Sequence, residues 1–62
     1  MALSPRQARE LCGLSQQQVA DRLGVPRQTY MKWERNANEM PLDKAKEFSE
    51  IVGIRIDEIF FD

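Results

Sequence analysis

Between positions 27 and 35, five long side chains (Arg27, Gln28, Met31, Lys32 and Arg35) stand at i, i+1, i+4, i+5 and i+8. On a helix this spacing gathers them on one face, opposite Tyr30 and Trp33. A guanidinium can donate two parallel hydrogen bonds to O6 and N7 of guanine, and a carboxamide can bond N6 and N7 of adenine. Adjacent Arg27 and Gln28, near the start of such a helix, are therefore suited to reading base edges in double-stranded DNA. Lys32 is a third reader, and Met31 is suited to a thymine methyl group. Thr29 and Arg35 are better placed to hold the sugar-phosphate backbone. Upstream, Gln16 and Gln17 follow Ser15 at another helix start, where free amides and a partial positive charge favour phosphate. Downstream, Asn36, Asn38 and the amide of Glu39 are placed to clamp a phosphate, although the Glu39 carboxylate would oppose it.

Little else in the chain can do chemistry. Its 62 residues include no His and one cysteine, Cys12, so it can assemble neither a zinc site nor a disulfide by itself. With no partner thiol or imidazole, Cys12 is expected in the core. Asp57 and Glu58 are adjacent, diverge on a helix, and are no catalytic pair. There is no shielded carboxylate pair, nucleophile with a base, or glycine-rich phosphate loop, so an enzyme is not expected. No cofactor and no small-molecule ligand are expected, because the length allows one domain, residues 1–62, with one small core. The apolar runs are too short for a membrane span or a secretory signal, and the compartment expected is the cytoplasm, at the nucleoid when DNA is bound.

The formal net charge of −1 argues against nucleic acid, but its distribution is uneven. Residues 1–38 hold six basic against three acidic side chains, whereas residues 39–62 hold three against seven. A polarised molecule of this kind can still offer a positive face.

Helix signals position these residues. Ser4-Pro5 reads as an N-cap and first turn, with Gly13 as the stop and Ala8, Leu11 and Cys12 sharing a face. Ser15 with Gln18 forms a capping-box pattern opening a second helix, whose Val19, Ala20 and Leu23 face inward and which Gly24 ends. Pro26 starts the third helix, with Tyr30 and Trp33 inward, and Asn36 ends it in a left-handed conformation. Residues 36–41 read as a polar loop. A fourth helix over about 42–52 has the face Leu42, Ala45, Phe48, Ile51 and Val52 and stops at Gly53. A fifth, short helix near 56–60 presents Ile56, Ile59 and Phe60, with Arg55 where a capping Ser or Asp is usual. The expectation is all-α, with five short helices around one core.

Two short helices joined by a glycine-containing turn form the unit that lays its second helix in the DNA major groove, and residues 15–36 fit it. The segment GLSQQQVADRLGVPRQTYMKWERN resembles the lambda-repressor-like family of helix-turn-helix regulators, the Cro and repressor type called XRE, and AKEFSEIVGIRIDEIF resembles that family's fourth and fifth helices. The resemblance implies that Gln16 and Gln17 touch phosphate, that Arg27, Gln28 and Lys32 face bases, and that Arg9 pairs with Glu34 behind the interface. It also implies a homodimer, at least on DNA, whose two recognition helices meet a pseudo-palindromic operator roughly 34 Å apart. The chain departs from the family at Pro26, where Ser or Thr is usual, at Asn36, often Gly, and at Arg55, usually Ser.

Plainer readings hold for other residues. Tyr30 and Trp33 belong to the core rather than to a base-stacking surface, and Arg22, Lys44 and Lys46 read as solvated charges. Phe60 and Phe61 are consecutive, so one must point away from the core. Phe61 with Ile54 or Ile56 then fits either an isologous dimer contact or an ordinary exposed position. The function expected is a sequence-specific transcriptional regulator, a phage- or plasmid-type repressor or Cro-like protein. The alternative is a protein-interaction module on the same fold, such as an antitoxin or regulator-binding domain, which the acidic second half would suit.

Overall fold

The computed structural model describes residues 2–59 and 61. Four α-helices follow in order: α1 (Pro5–Leu11), α2 (Gln16–Leu23), α3 (Arg27–Arg35) and α4 (Leu42–Val52), with 3₁₀ turns at Ala37–Glu39 and Ile56–Glu58. None exceeds 11 residues, a length marginal for an isolated helix in water, so each depends on its ends and on packing.

Local chemistry sets those ends. Both α1 and α2 begin with a reciprocal capping box: Ser4 Oγ accepts from Gln7 N while Gln7 Oε1 accepts from Ser4 N, and Ser15 and Gln18 repeat the exchange. α3 and α4 use prolines instead. Pro26 and Pro41 lie just outside their helices in extended backbone, and their carbonyls accept the first helical bonds, from Tyr30 N at 3.2 Å and Ala45 N at 2.8 Å. Pro26 thus flanks α3 rather than forming its first residue. Between α2 and α3 the chain turns through Gly24 at φ 72°. Gly24 N–H reaches Asp21 O (3.2 Å) and Val25 N–H reaches Ala20 O (3.1 Å), the two bonds of a Schellman closure. A Cβ at Gly24 would meet nothing within 4 Å, so the demand for glycine is conformational.

The core joins Val19, Ala20 and Leu23 of α2, Tyr30 and Trp33 of α3, and Ala45, Phe48 and Val52 of α4, with Ala8, Met40 and Ile59 closing its margins. The Tyr30 and Phe48 rings stack with centroids 6.1 Å apart.

At several positions the fold departs from what spacing predicts. The inner face of α1 is Pro5 and Ala8 with half-buried Arg9, at i, i+3 and i+4, which leaves Leu11 70% exposed and Cys12 exposed. Cys12 lies beyond the helix end, its thiol turned back to Arg9 O, and is no core residue. On α4, Leu42 is 67% exposed, because the buried stripe begins one turn later at Ala45. Asn36 ends α3 at φ −134°, not in the left-handed region. Residues 37–39 form a 3₁₀ turn rather than an irregular loop, and it buries Ala37 and Met40, which eclipse at i and i+3.

The fifth helix is reduced to the 3₁₀ turn Ile56–Glu58. No side chain caps its start, so a longer helix lacks nucleation there. Ile59 instead runs extended, buried, in an isolated parallel bridge with Leu3, whose N–H bonds Glu58 O at 2.8 Å. Ile56 stays at the surface, and Phe60, expected on the same face, lies outside the described residues. Lys44, expected to be solvated, donates from Nζ to Leu23 O at 2.9 Å and so satisfies an orphan carbonyl at the end of α2.

Candidate nucleic-acid interface

α3 is fixed by its buried side. With Tyr30 and Trp33 in the core, Arg27, Gln28, Lys32 and Arg35 are exposed, while Met31 and Thr29 are half-buried at the margins of that face. Among the described residues, no carboxylate lies within ion-pair distance of Arg27 or Arg35, whereas Lys32 Nζ is 3.3 Å from Glu39 Oε1.

Behind this face, Glu34 gathers three helices. Its carboxylate accepts from Arg9 Nε of α1 at 2.5 Å, from Gln16 Nε2 of α2 at 2.9 Å and from Tyr30 OH of α3 at 2.5 Å. Arg9 also donates from Nη1 to Leu14 O at 2.9 Å, pinning the α1–α2 connection. The side chains of Arg9 and Glu34 keep only 12% and 5% of their exposure. Burial pushes the Glu34 carboxyl up, but the bonds from Arg9, Tyr30 and Gln16 and the Arg9 charge outweigh it, so the group lies below the ordinary 4.5. The Tyr30 hydroxyl is pushed well above its ordinary 10.0, first by burial and then by its bond to a carboxylate that would repel phenolate. The bond to Glu34 raises Arg9. The cluster is thus locked in one protonation state near neutral pH, and it fixes the roll of α3 against α1 and α2.

Of the residues expected to touch phosphate, Gln17 is exposed at the α2 start with its amide on Asp21 at 2.8 Å. Gln16 is half-buried, and one N–H of its side-chain amide is spent on Glu34. Asn36 and Asn38 are exposed just beyond α3. Ile54 and Phe61, named for a dimer contact, are half-buried and pack against the core.

The roles of Gln16 and Tyr30 at Glu34 escape a sequence reading. Their only signal is that Tyr30 and Glu34 are spaced i and i+4 on α3, and nothing local brings Gln16 to them. The Lys32–Glu39 pair depends on the 3₁₀ turn, which the polar composition of residues 36–41 conceals.

A family model described as Helix-turn-helix matches residues 6–59, from α1 through Ile59. The chain belongs to that family, of the lambda-repressor-like XRE kind. Comparison with curated proteins and with solved structures gives no match. This helix-turn-helix protein is accordingly a DNA-binding regulator, and its family's role is regulation rather than catalysis. Within the matched residues, α2 and α3 are two short helices joined by a turn through Gly24. Among the described residues, no group of three His, Cys, Asp or Glu side chains could hold a metal ion. Among them, too, no helix is long and apolar enough to cross a membrane.

Proposed function

We propose that this helix-turn-helix protein is a sequence-specific transcriptional regulator that sets α3 into the major groove of an operator and acts by occupying it. The observation that carries this reading is the outer face of α3, where Arg27, Gln28 and Lys32 are exposed together while Tyr30, Trp33 and the Glu34 cluster hold the helix from behind. Arg27 and Gln28 are the principal base readers, with Lys32 and Met31 beside them. Gln16, Gln17, Thr29, Arg35, Asn36 and Asn38 hold phosphates on either side and set the docking angle. Base reading over one helix face is short, so a homodimer on a pseudo-palindromic site supplies the rest of the affinity, with Ile54 and Phe61 at the candidate contact. A phage- or plasmid-type repressor or Cro-like protein is the role this fits.

The test is selection of duplexes from a random pool, followed by anisotropy titration with wild type and the Arg27→Ala, Gln28→Ala and Lys32→Ala variants. A palindromic site should be enriched, and each substitution should cost about 1–3 kcal/mol with altered base preference. Enrichment of no site, with residual binding abolished by added salt, would sink the proposal. The protein-interaction reading, which the acidic residues 39–62 favour, would then replace it.

A further inference from the structure

A cleft of ≈ 300 Å³ opens between α1, the start of α2 and the edge of α3, lined by Arg6, Arg9, Gln16, Met31, Glu34 and Arg35. Three arginines from two helices share it, and its one carboxylate is internally satisfied: Glu34 accepts from Arg9, Gln16 and Tyr30. The charge available to a ligand is therefore that of Arg6 and Arg35 on the cleft walls. Arg6 meets Glu10 only through Nε, at 3.3 Å, in an exposed i,i+4 pair. Such a pair is weak and leaves both terminal nitrogens free to donate. Gln16, which also lines the cleft, has a second amide N–H beside the one bonded to Glu34.

We infer that this cleft is a phosphate-binding notch, in which Arg6 and Arg35 grip one backbone phosphate of the DNA from two helices and Gln16 supplies a third donor. Arg6 thereby becomes a DNA ligand, on a helix outside the helix-turn-helix pair. The group bound is a tetrahedral oxyanion carrying one charge, whose oxygens accept the paired N–H groups of a guanidinium fork and can be reached from both walls of the cleft. Met31 forms part of the lining, so the same helix edge that meets a base also borders the notch and ties its phosphate to a fixed register on the duplex. The inference rests on the DNA reading proposed above and adds α1 to the surface that holds the backbone.

The experiment is a methylphosphonate scan: the selected duplex is made with one phosphate at a time replaced by its neutral analogue, and each is titrated with wild type, Arg6→Gln and Arg6→Lys. Wild type should bind more weakly at one position per half-site, and Arg6→Gln should respond distinctly less there, the remainder coming from Arg35 and Gln16, with Arg6→Lys intermediate. The salt slope, d log K/d log [salt], should also be shallower by about 0.9 for each phosphate that the variant no longer neutralises, with base preference unchanged. If Arg6→Gln responds at every position as wild type does and keeps its slope, the notch does not hold DNA, although the regulator reading stands. If wild type selects no duplex, the regulator reading itself has failed. A free-anion site is distinguished by NMR: inorganic phosphate would shift the Gln16 side-chain amide in wild type but not in Arg6→Gln, with no Arg6-dependent position in the scan. That result would overturn the assignment to DNA.

Discussion

Glu34 is the residue on which the arrangement of helices turns. Replacing it with Gln leaves the Arg9 guanidinium mostly buried without its charge partner, and chemical denaturation at pH 7 should show a loss of about 3 kcal/mol. Because the folded carboxyl lies below its ordinary 4.5, its contribution is present above that pH and disappears as pH falls through the depressed value. Wild type should therefore lose more stability than Glu34→Gln on acidification from pH 5. Tyr30 has the opposite sign. Its raised hydroxyl keeps the proton in the fold while the unfolded chain releases it, so stability should fall as pH rises past 10, more steeply than in Tyr30→Phe. At the surface, Glu39 holds Lys32 and places a negative charge beside the proposed phosphate path. Glu39→Gln should strengthen binding to cognate and non-cognate duplexes by a similar factor, read in parallel titrations. Unchanged affinity for both would remove Glu39 from the interface.

At the scale of elements, the turn between α2 and α3 is the most vulnerable to a single change. Gly24→Ala meets no atom within 4 Å but forces a side chain into φ 72°, so it should cost about 1–2 kcal/mol by thermal or urea denaturation, whereas Leu11→Gln, at a 70% exposed position, should change stability by under about 0.5 kcal/mol. These two sites also mark what can be read from the sequence. Helices α2, α3 and α4 are legible because their caps and apolar spacing are local: Ser15 with Gln18, Gly24, Gly53, and Tyr30 with Trp33 all lie within a turn or two of what they specify. Spacing misleads where tertiary packing decides. Leu11 and Cys12 fit an apolar stripe, but α1 ends before a second inward turn and spends Arg9 on Glu34. Ile59 has helical spacing from Ile56 and is instead drawn into pairing with Leu3, 56 positions away in the chain. Residues 37–40 hide a buried Met40 inside a polar string.

For the molecule as a whole, charge and core are divided unequally between its halves. The basic surplus of residues 1–38 is concentrated around α3 and the neighbouring cleft, while residues 39–62, net acidic, supply α4 as the back wall of the core. A nearly neutral chain can in this way present a positive face without a large net charge. The glutamine carboxamides and arginine guanidinium groups of that face are legible as candidate base and phosphate ligands from residue type and helical spacing. Their support is legible only in part: the Arg9–Glu34 pair follows from the family resemblance, whereas Gln16 and Tyr30 join it only when three helices pack. Whether the outer face of α3 is the surface that meets DNA is tested most directly by mapping backbone and side-chain NMR shifts while the selected duplex is added. The largest changes should fall on Arg27, Gln28, Lys32, Gln17 and the Gln16 side chain, with the outer surface of α4 silent. Shifts concentrated instead on Asp43, Glu47 and Glu50, with α3 unmoved, would contradict it.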